Sequence, residues 1–199
     1  MKTTENTPDL LIKPPEKIPL MLRPMVKIAD KKAGKEMLPG RLLSWSPSIA
    51  ISSGLLEVYV EKGARKILDK RLIKLIRLII SYSIGGAFGI DINAVNYSDF
   101  NITETELDAL RGAIPLTEVN SFTEKERAAL TFALALTATP VNITDENKKE
   151  LKKYFSDKEI TAVAALSSKV NYWVRLIVSL GVPPAGYTDD PAVHLEDYM

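Results

Sequence analysis

At 199 residues, 46% of them hydrophobic, the chain is long enough to bury one sizeable core. Its 26 basic and 25 acidic residues leave a net charge of +1, too little to hold a nucleic acid or an acidic surface. With no cysteine and a single histidine, His194, it excludes disulfides, thiol catalysis, zinc–thiolate sites and histidine-cluster metal centres, and no cofactor is expected.

The opening MKTTENTPDLL lacks the basic-then-apolar profile of a signal peptide. The most apolar window carries Lys70, Arg71, Lys74 and Arg77, too many charges for a membrane span. A soluble, cytoplasmic protein is therefore expected, with neither membrane nor nucleic acid as partner. Residues 1–39 read as an N-terminal arm. Pro8, Pro14, Pro15, Pro19 and Pro24 fix φ and remove backbone donors, so the arm should be extended as far as residue 24. Its Leu10, Leu11, Ile12, Leu20, Met21 and Leu22 suit it to lie across another surface. Between Pro24 and Pro39 a short helix is expected, with Met25, Ile28, Ala29 and Ala33 on one side.

The main domain, residues 40–184, opens on Ser46-Pro47, a helix-start signal because proline is tolerated at the first helical position. Leu55, Leu56, Val58, Tyr59 and Val60 continue that helix, and KGARKILDKR follows as a charged turn. Arg71–Tyr97 is the central stretch. Leu72, Ile73, Leu75, Ile76, Leu78, Ile79, Ile80 and Tyr82 predict a helix apolar almost all round, with Lys74, Arg77 and Ser81 gathered into one polar stripe. Gly85, Gly86 and Gly89 break it and lead into a second helix with Asp91 and Asn93. Thr103 with Glu106, Thr123 with Glu126 and Ser156 with Glu159 have capping-box spacing and mark three further helix starts. With hardly any alternating strand pattern, the reading is all-α. IRLIIS (76–81) and VRLIVS (174–179) form a short internal echo. The tail, 185–199, is polar and reads as a surface strap or a loose end.

Several motifs resemble the AhpD-like alkylhydroperoxidase and carboxymuconolactone decarboxylase family. That family's run of a Glu-Arg-Ala helix, a small charged helix ending in Phe and a helix carrying Asn-x-Trp-x-Arg is matched by Glu126, Arg127 and Ala128, then Phe155, then Asn171, Trp173 and Arg175. Its redox members carry Cys-x-x-Cys-x-x-x-His, with a glutamate twelve residues before the first cysteine. On this chain the cysteine positions fall on Gly86 and Gly89, the histidine position on Asn93 and the glutamate position on Lys74. The resemblance covers about residues 40–184 and implies an AhpD-like helical bundle. It also implies an N-terminal region that crosses onto a neighbouring subunit; the apolar central helix, the proline-rich arm with its leucines and the lack of disulfides themselves suggest a homo-oligomer, most simply a dimer or else a trimer or hexamer.

Thiol peroxidase chemistry needs a thiolate, a resolving thiol and a base. Glycine supplies neither thiol, and asparagine takes up no proton at neutral pH. The glycines admit two readings. They allow a tight turn and close helix packing, or they enlarge the family's pocket for a small apolar ligand bordered by Lys74, Ser81, Gly86, Gly89 and Asn93. In the second case a restored cysteine pair would be sterically tolerated. Lys74 on a buried helix could have a depressed pKa and act as a base or Schiff-base amine; otherwise its stem reaches solvent or it pairs with an acid such as Asp91. Arg77 and Arg175 read as anchors, Asn96 and Asn171 as hydrogen-bond partners, and Tyr172 and Trp173 as core or interface residues. Three functions stay open: a non-redox binding or assembly protein, a cofactor-free decarboxylase or isomerase using Lys74, and an alkylhydroperoxidase inactivated by natural or engineered substitution.

Overall fold

The computed structural model describes residues 10–199, so the stretch of the arm before Leu10 lies outside the described residues. Among them every regular element is helical. The α-helices are α1 (Arg23–Ala33), α2 (Leu38–Leu43), α3 (Pro47–Ala64), α4 (Lys70–Ile84), α5 (Ala87–Ala94), α6 (Glu104–Leu110), α7 (Glu124–Thr137), α8 (Asp145–Tyr154) and α9 (Asp157–Ser179). Short 3-10 turns punctuate them. Among the described residues no helix is long and apolar enough to cross a membrane.

The core is built around α4. Asp69 caps it by accepting from the Arg71 amide at 2.8 Å, and Leu75, Ile76, Leu78 and Ile80 are fully enclosed. It packs against α7, α9 and α5. The expected capping boxes at Thr103, Thr123 and Ser156 all form. A fourth, Thr144 with Asn147, starts α8; the sequence hides it because asparagine replaces the usual Glu or Gln. Two of the box glutamates have a second task. Arg71 donates to Glu106 at 2.6 Å and to Glu126 at 2.7 Å, so a single guanidinium ties the start of α4 to the starts of α6 and α7.

At the N-terminal end the arm turns helical before residue 24, with a 3-10 turn at Leu20–Leu22 and α1 from Arg23, because Pro24 is accepted in the first turn of a helix. The short helix buries Val26, whereas Ile28 points to solvent, so its inner face runs through Leu22 and Val26 rather than through Ile28. The tail is a strap, not a loose end. Asp91, fully buried, accepts backbone N–H groups of Ala185 and Tyr187 at 2.7 Å and of Thr188 at 2.9 Å. Farther along, the Tyr82 hydroxyl donates to the Val193 carbonyl at 3.0 Å, and the Tyr82 and Tyr198 rings pack 5.7 Å apart. The charge on Asp91 is thus spent on the tail and is not available to Lys74.

Candidate functional site

The turn between α4 and α5 positions three of the four residues that the motif comparison singles out, Gly86, Gly89 and Asn93. Gly85 ends α4 at φ 74°, a left-handed conformation that glycine adopts without steric cost, and the Gly86 amide reaches back to the Ser81 carbonyl at 3.2 Å. Gly86 then caps α5 in extended conformation, and Gly89 lies one turn on, buried. Ser81, Gly86, Gly89 and Asn93 do come together. The Asn93 side-chain amide donates to Ser81 Oγ at 3.1 Å, and Ser81 Oγ donates to the Arg77 carbonyl at 2.8 Å.

Of the two readings of the glycines, the geometry at their Cβ positions follows close packing. A Cβ added to Gly86 would stand 2.4 Å from Val174 Cγ1 and 3.3 Å from Val178 Cγ2. One added to Gly89 would stand 3.0 Å from Val174 Cγ2 and 3.3 Å from Ser81 Oγ. Val174, on α9 and only 2% exposed, occupies the space that two side chains would need. The glycines serve close approach of α5 to α9, and that packing offsets the roughly 1 kcal/mol that a helical glycine costs relative to alanine. Restored thiols would collide with a β-branched side chain that has little rotamer freedom to yield.

Lys74 turns away from this turn. Its Nζ donates to the Val95 carbonyl, just beyond α5, at 2.6 Å and lies 5.2 Å from the centre of the Phe100 ring. Burial pushes the amine down to about 8; nearby Arg77 adds to the shift and Asp99 opposes it. The linkage has a definite sign. Between pH 8 and the ordinary 10.5, the unfolded chain keeps this proton while the folded chain has lost it, so Lys74 makes stability rise with pH across that window. Urea unfolding of the wild type against Lys74→Met should show a gap that closes between those values. A constant gap would mean that the amine titrates normally.

Sequence reasoning missed the other half of the site, a charged cluster under α3. Lys169, on α9 and 2% exposed, donates to Glu57 at 3.0 Å and to Glu61 at 2.9 Å. Arg77 is bound closely to Glu61, stands 3.7 Å from Glu57 and reaches Asn93 Oδ1 at 3.5 Å. Burial pushes the Glu61 carboxyl up, yet Arg77 and Lys169, with Arg65 also bonded to it, outweigh that and hold it at about 2. The cluster is continuous with Ser81 and Asn93 and neutralises itself. Its functional groups face one another, and Ser81 has no base beside it to become a nucleophile.

Arg175 and Asn171 act as the expected anchors. Arg175 donates to the Thr137 carbonyl at 2.6 Å, and Asn171 donates to Thr137 Oγ1 at 2.9 Å, joining α9 to the end of α7. Tyr172 bonds Ser53 at 2.6 Å and stacks edge-on with Trp173. Asn96 sits exposed in a left-handed turn and does not join the site.

No protein-family model matches the chain. It is 25% identical over 173 residues to the uncharacterized protein YnjA of Escherichia coli K12, across 87% of this chain and 93% of that protein. Among solved structures, the debrominase Bmp8 is similar at a TM-score of 0.76 and 19% identity, across 95% of this chain and 98% of that one. A cysteine-to-alanine variant of Bmp8 in complex with 2,3,4-tribromopyrrole gives a TM-score of 0.72. An alkylhydroperoxidase AhpD core structure, an uncharacterized peroxidase-related protein from Ralstonia eutropha JMP134, gives 0.67 at 16% identity, across 88% of this chain and 89% of that one. The chain has the AhpD-like helical fold.

Proposed function

We propose that this protein is a non-redox branch of the AhpD-like fold, working as a binding or assembly protein and not as a thiol enzyme. The carrying observation is the filled turn: where the fold's redox motif would place two thiols, Gly86 and Gly89 lie against Val174. Around it the serine, asparagine, arginine and lysine groups are bonded to one another. A peroxidatic or dehalogenating thiol mechanism needs a thiolate, which this composition lacks. Purified protein given dithiothreitol, with hydrogen peroxide, an alkyl hydroperoxide or a brominated pyrrole in turn, should show turnover no faster than buffer. Reductant-coupled turnover that follows the protein through purification would overturn this reading.

A second reading, a cofactor-free lyase or isomerase, rests on Lys74, whose amine burial holds at about 8. Its bond to the Val95 carbonyl favours a structural role, since that acceptor takes no part in proton exchange.

A further inference from the structure

Lys74 and Arg77 stand three residues apart on α4, so one turn of the helix carries two positive charges on the same side. Both side chains are partly exposed, although the helix around them is enclosed. Arg77 uses its two terminal nitrogens on Glu61 and Asn93, while its Nε is buried without a hydrogen-bond partner. Lys74 makes its hydrogen bond to the Val95 carbonyl and enters no ion pair among the described residues. The turn beside it, Tyr97–Phe100, is held in place. Asn96 and Asn101 flank that turn at φ 50° and 54°, and Arg71 donates to the Phe100 and Asn101 carbonyls. The amine thus has a fixed seat and two spare hydrogens, next to a guanidinium with a spare buried donor.

We propose that Lys74 is a carbon dioxide site, where the neutral amine attacks the gas and the resulting carbamate is held between the Val95 carbonyl and Arg77 Nε. The step balances without oxidant or reductant. The nitrogen lone pair forms the new C–N bond, one C–O π pair moves onto oxygen, and one N–H proton leaves to solvent. Amine and carbon dioxide give carbamate and a proton.

Three features of the site match that product. A carbamate keeps a single N–H, and the Val95 carbonyl takes one. It gains a carboxylate, for which Arg77 Nε is a charge-assisted donor. It also replaces a cation beside Arg77 by an anion, which turns repulsion along the helix into attraction. An aldehyde suits the amine less well: its neutral imine has no N–H for Val95, its protonated imine is still a cation, and neither offers Arg77 an acceptor. An amide would satisfy both bonds but requires an activated acyl donor. Carbon dioxide requires only an uncharged amine, and burial supplies it by holding Lys74 at about 8 instead of 10.5. The charged groups facing the amine are Arg77 on α4 and Asp99 on the neighbouring turn. Arg71 is spent on Glu106 and Glu126, and Glu57 and Glu61 are shared by Arg77 and Lys169. The carbamate gives this face of α4 a carboxylate that the sequence does not encode there.

The test is carbon NMR of the full chain equilibrated with isotopically labelled bicarbonate. The expected result is a carbamate resonance in the wild type that is absent from folded Lys74→Met and Lys74→Arg, and that fades as pH falls below about 8. The α-amine at the start of the chain, of ordinary pKa about 8, gives a separate carbamate signal that every variant keeps, and so serves as the internal standard. Arg77→Lys keeps a cation for Glu61 but lacks Nε, and should weaken the Lys74 signal about tenfold, the value of a hydrogen bond to a charged group. A readout that needs no variant is to alkylate the wild-type carbamate with a trialkyloxonium salt and map the peptides, which should place the carboxyl ester on Lys74. A wild type with only the α-amine signal, or a second signal that survives Lys74→Met, overturns the proposal. A Lys74 signal unchanged in Arg77→Lys keeps the carbamate and overturns its bond to Arg77.

Discussion

Gly86→Ala should destabilise the protein by about 1–3 kcal/mol, the cost of pressing an extra methyl into a packed core. Alanine suits the extended backbone at this position, φ −88° and ψ 95°, and by restricting the unfolded chain would ordinarily stabilise by about 0.4–1 kcal/mol. The contact of 2.4 Å with Val174 Cγ1 decides the sign, because real Cβ atoms essentially never come so close. Val174→Ala alone should also destabilise, by removing buried methyl groups. The double variant should be more stable than the sum of the two losses implies, since each change makes room for the other. Additive losses in urea unfolding would mean that Val174 does not fill the space at Gly86. The same cycle bears on Gly86→Cys with Gly89→Cys, which should fold well only when Val174 is shortened.

Arg71→Leu should be the most damaging single change, at about 3–5 kcal/mol, the cost of leaving a buried charge without its partner. Glu106 has no exposed surface and takes two of its hydrogen bonds from this guanidinium, at 2.6 Å and 3.2 Å. Glu126 loses its ion pair at the same time. Glu106→Gln should recover part of the loss, because glutamine keeps an oxygen for the Thr103 amide but brings no charge to bury. A loss below ~1 kcal/mol, the value of an exposed pair, would mean that the cluster is hydrated.

The fold was legible because its signals are local. The enclosed run from Leu72 to Tyr82, the box spacings at Thr103, Thr123 and Ser156, and Ser46-Pro47 each act within a few residues and require no knowledge of the rest. The site was legible only in part. Spacing within one helix and turn brought Ser81, Gly86, Gly89 and Asn93 together, but nothing in that stretch reveals a valine arriving from α9. Whether missing side chains leave a hole or admit a neighbour is decided by residues far away in sequence. The lowered amine of Lys74 was legible from its place on a buried helix, but its partner was not: Asp91 is close in sequence, yet its carboxylate is taken by the tail and Lys74 bonds the Val95 carbonyl instead. The inward polar stripe of α3 did have a signal, since Ser53, Glu57 and Glu61 recur at fours on one face. It was hidden because the eye follows Leu55, Leu56, Val58 and Tyr59, and the usual assumption turns those inward.

If the protein works by assembly, the state of the unmodified chain in solution is the direct question. Sedimentation equilibrium of the full chain from nanomolar to micromolar concentration answers it. The expected result is a reversible or permanent multiple of the monomer mass, a dimer in the simplest case, at micromolar protein. A single monomeric species at every concentration would contradict it.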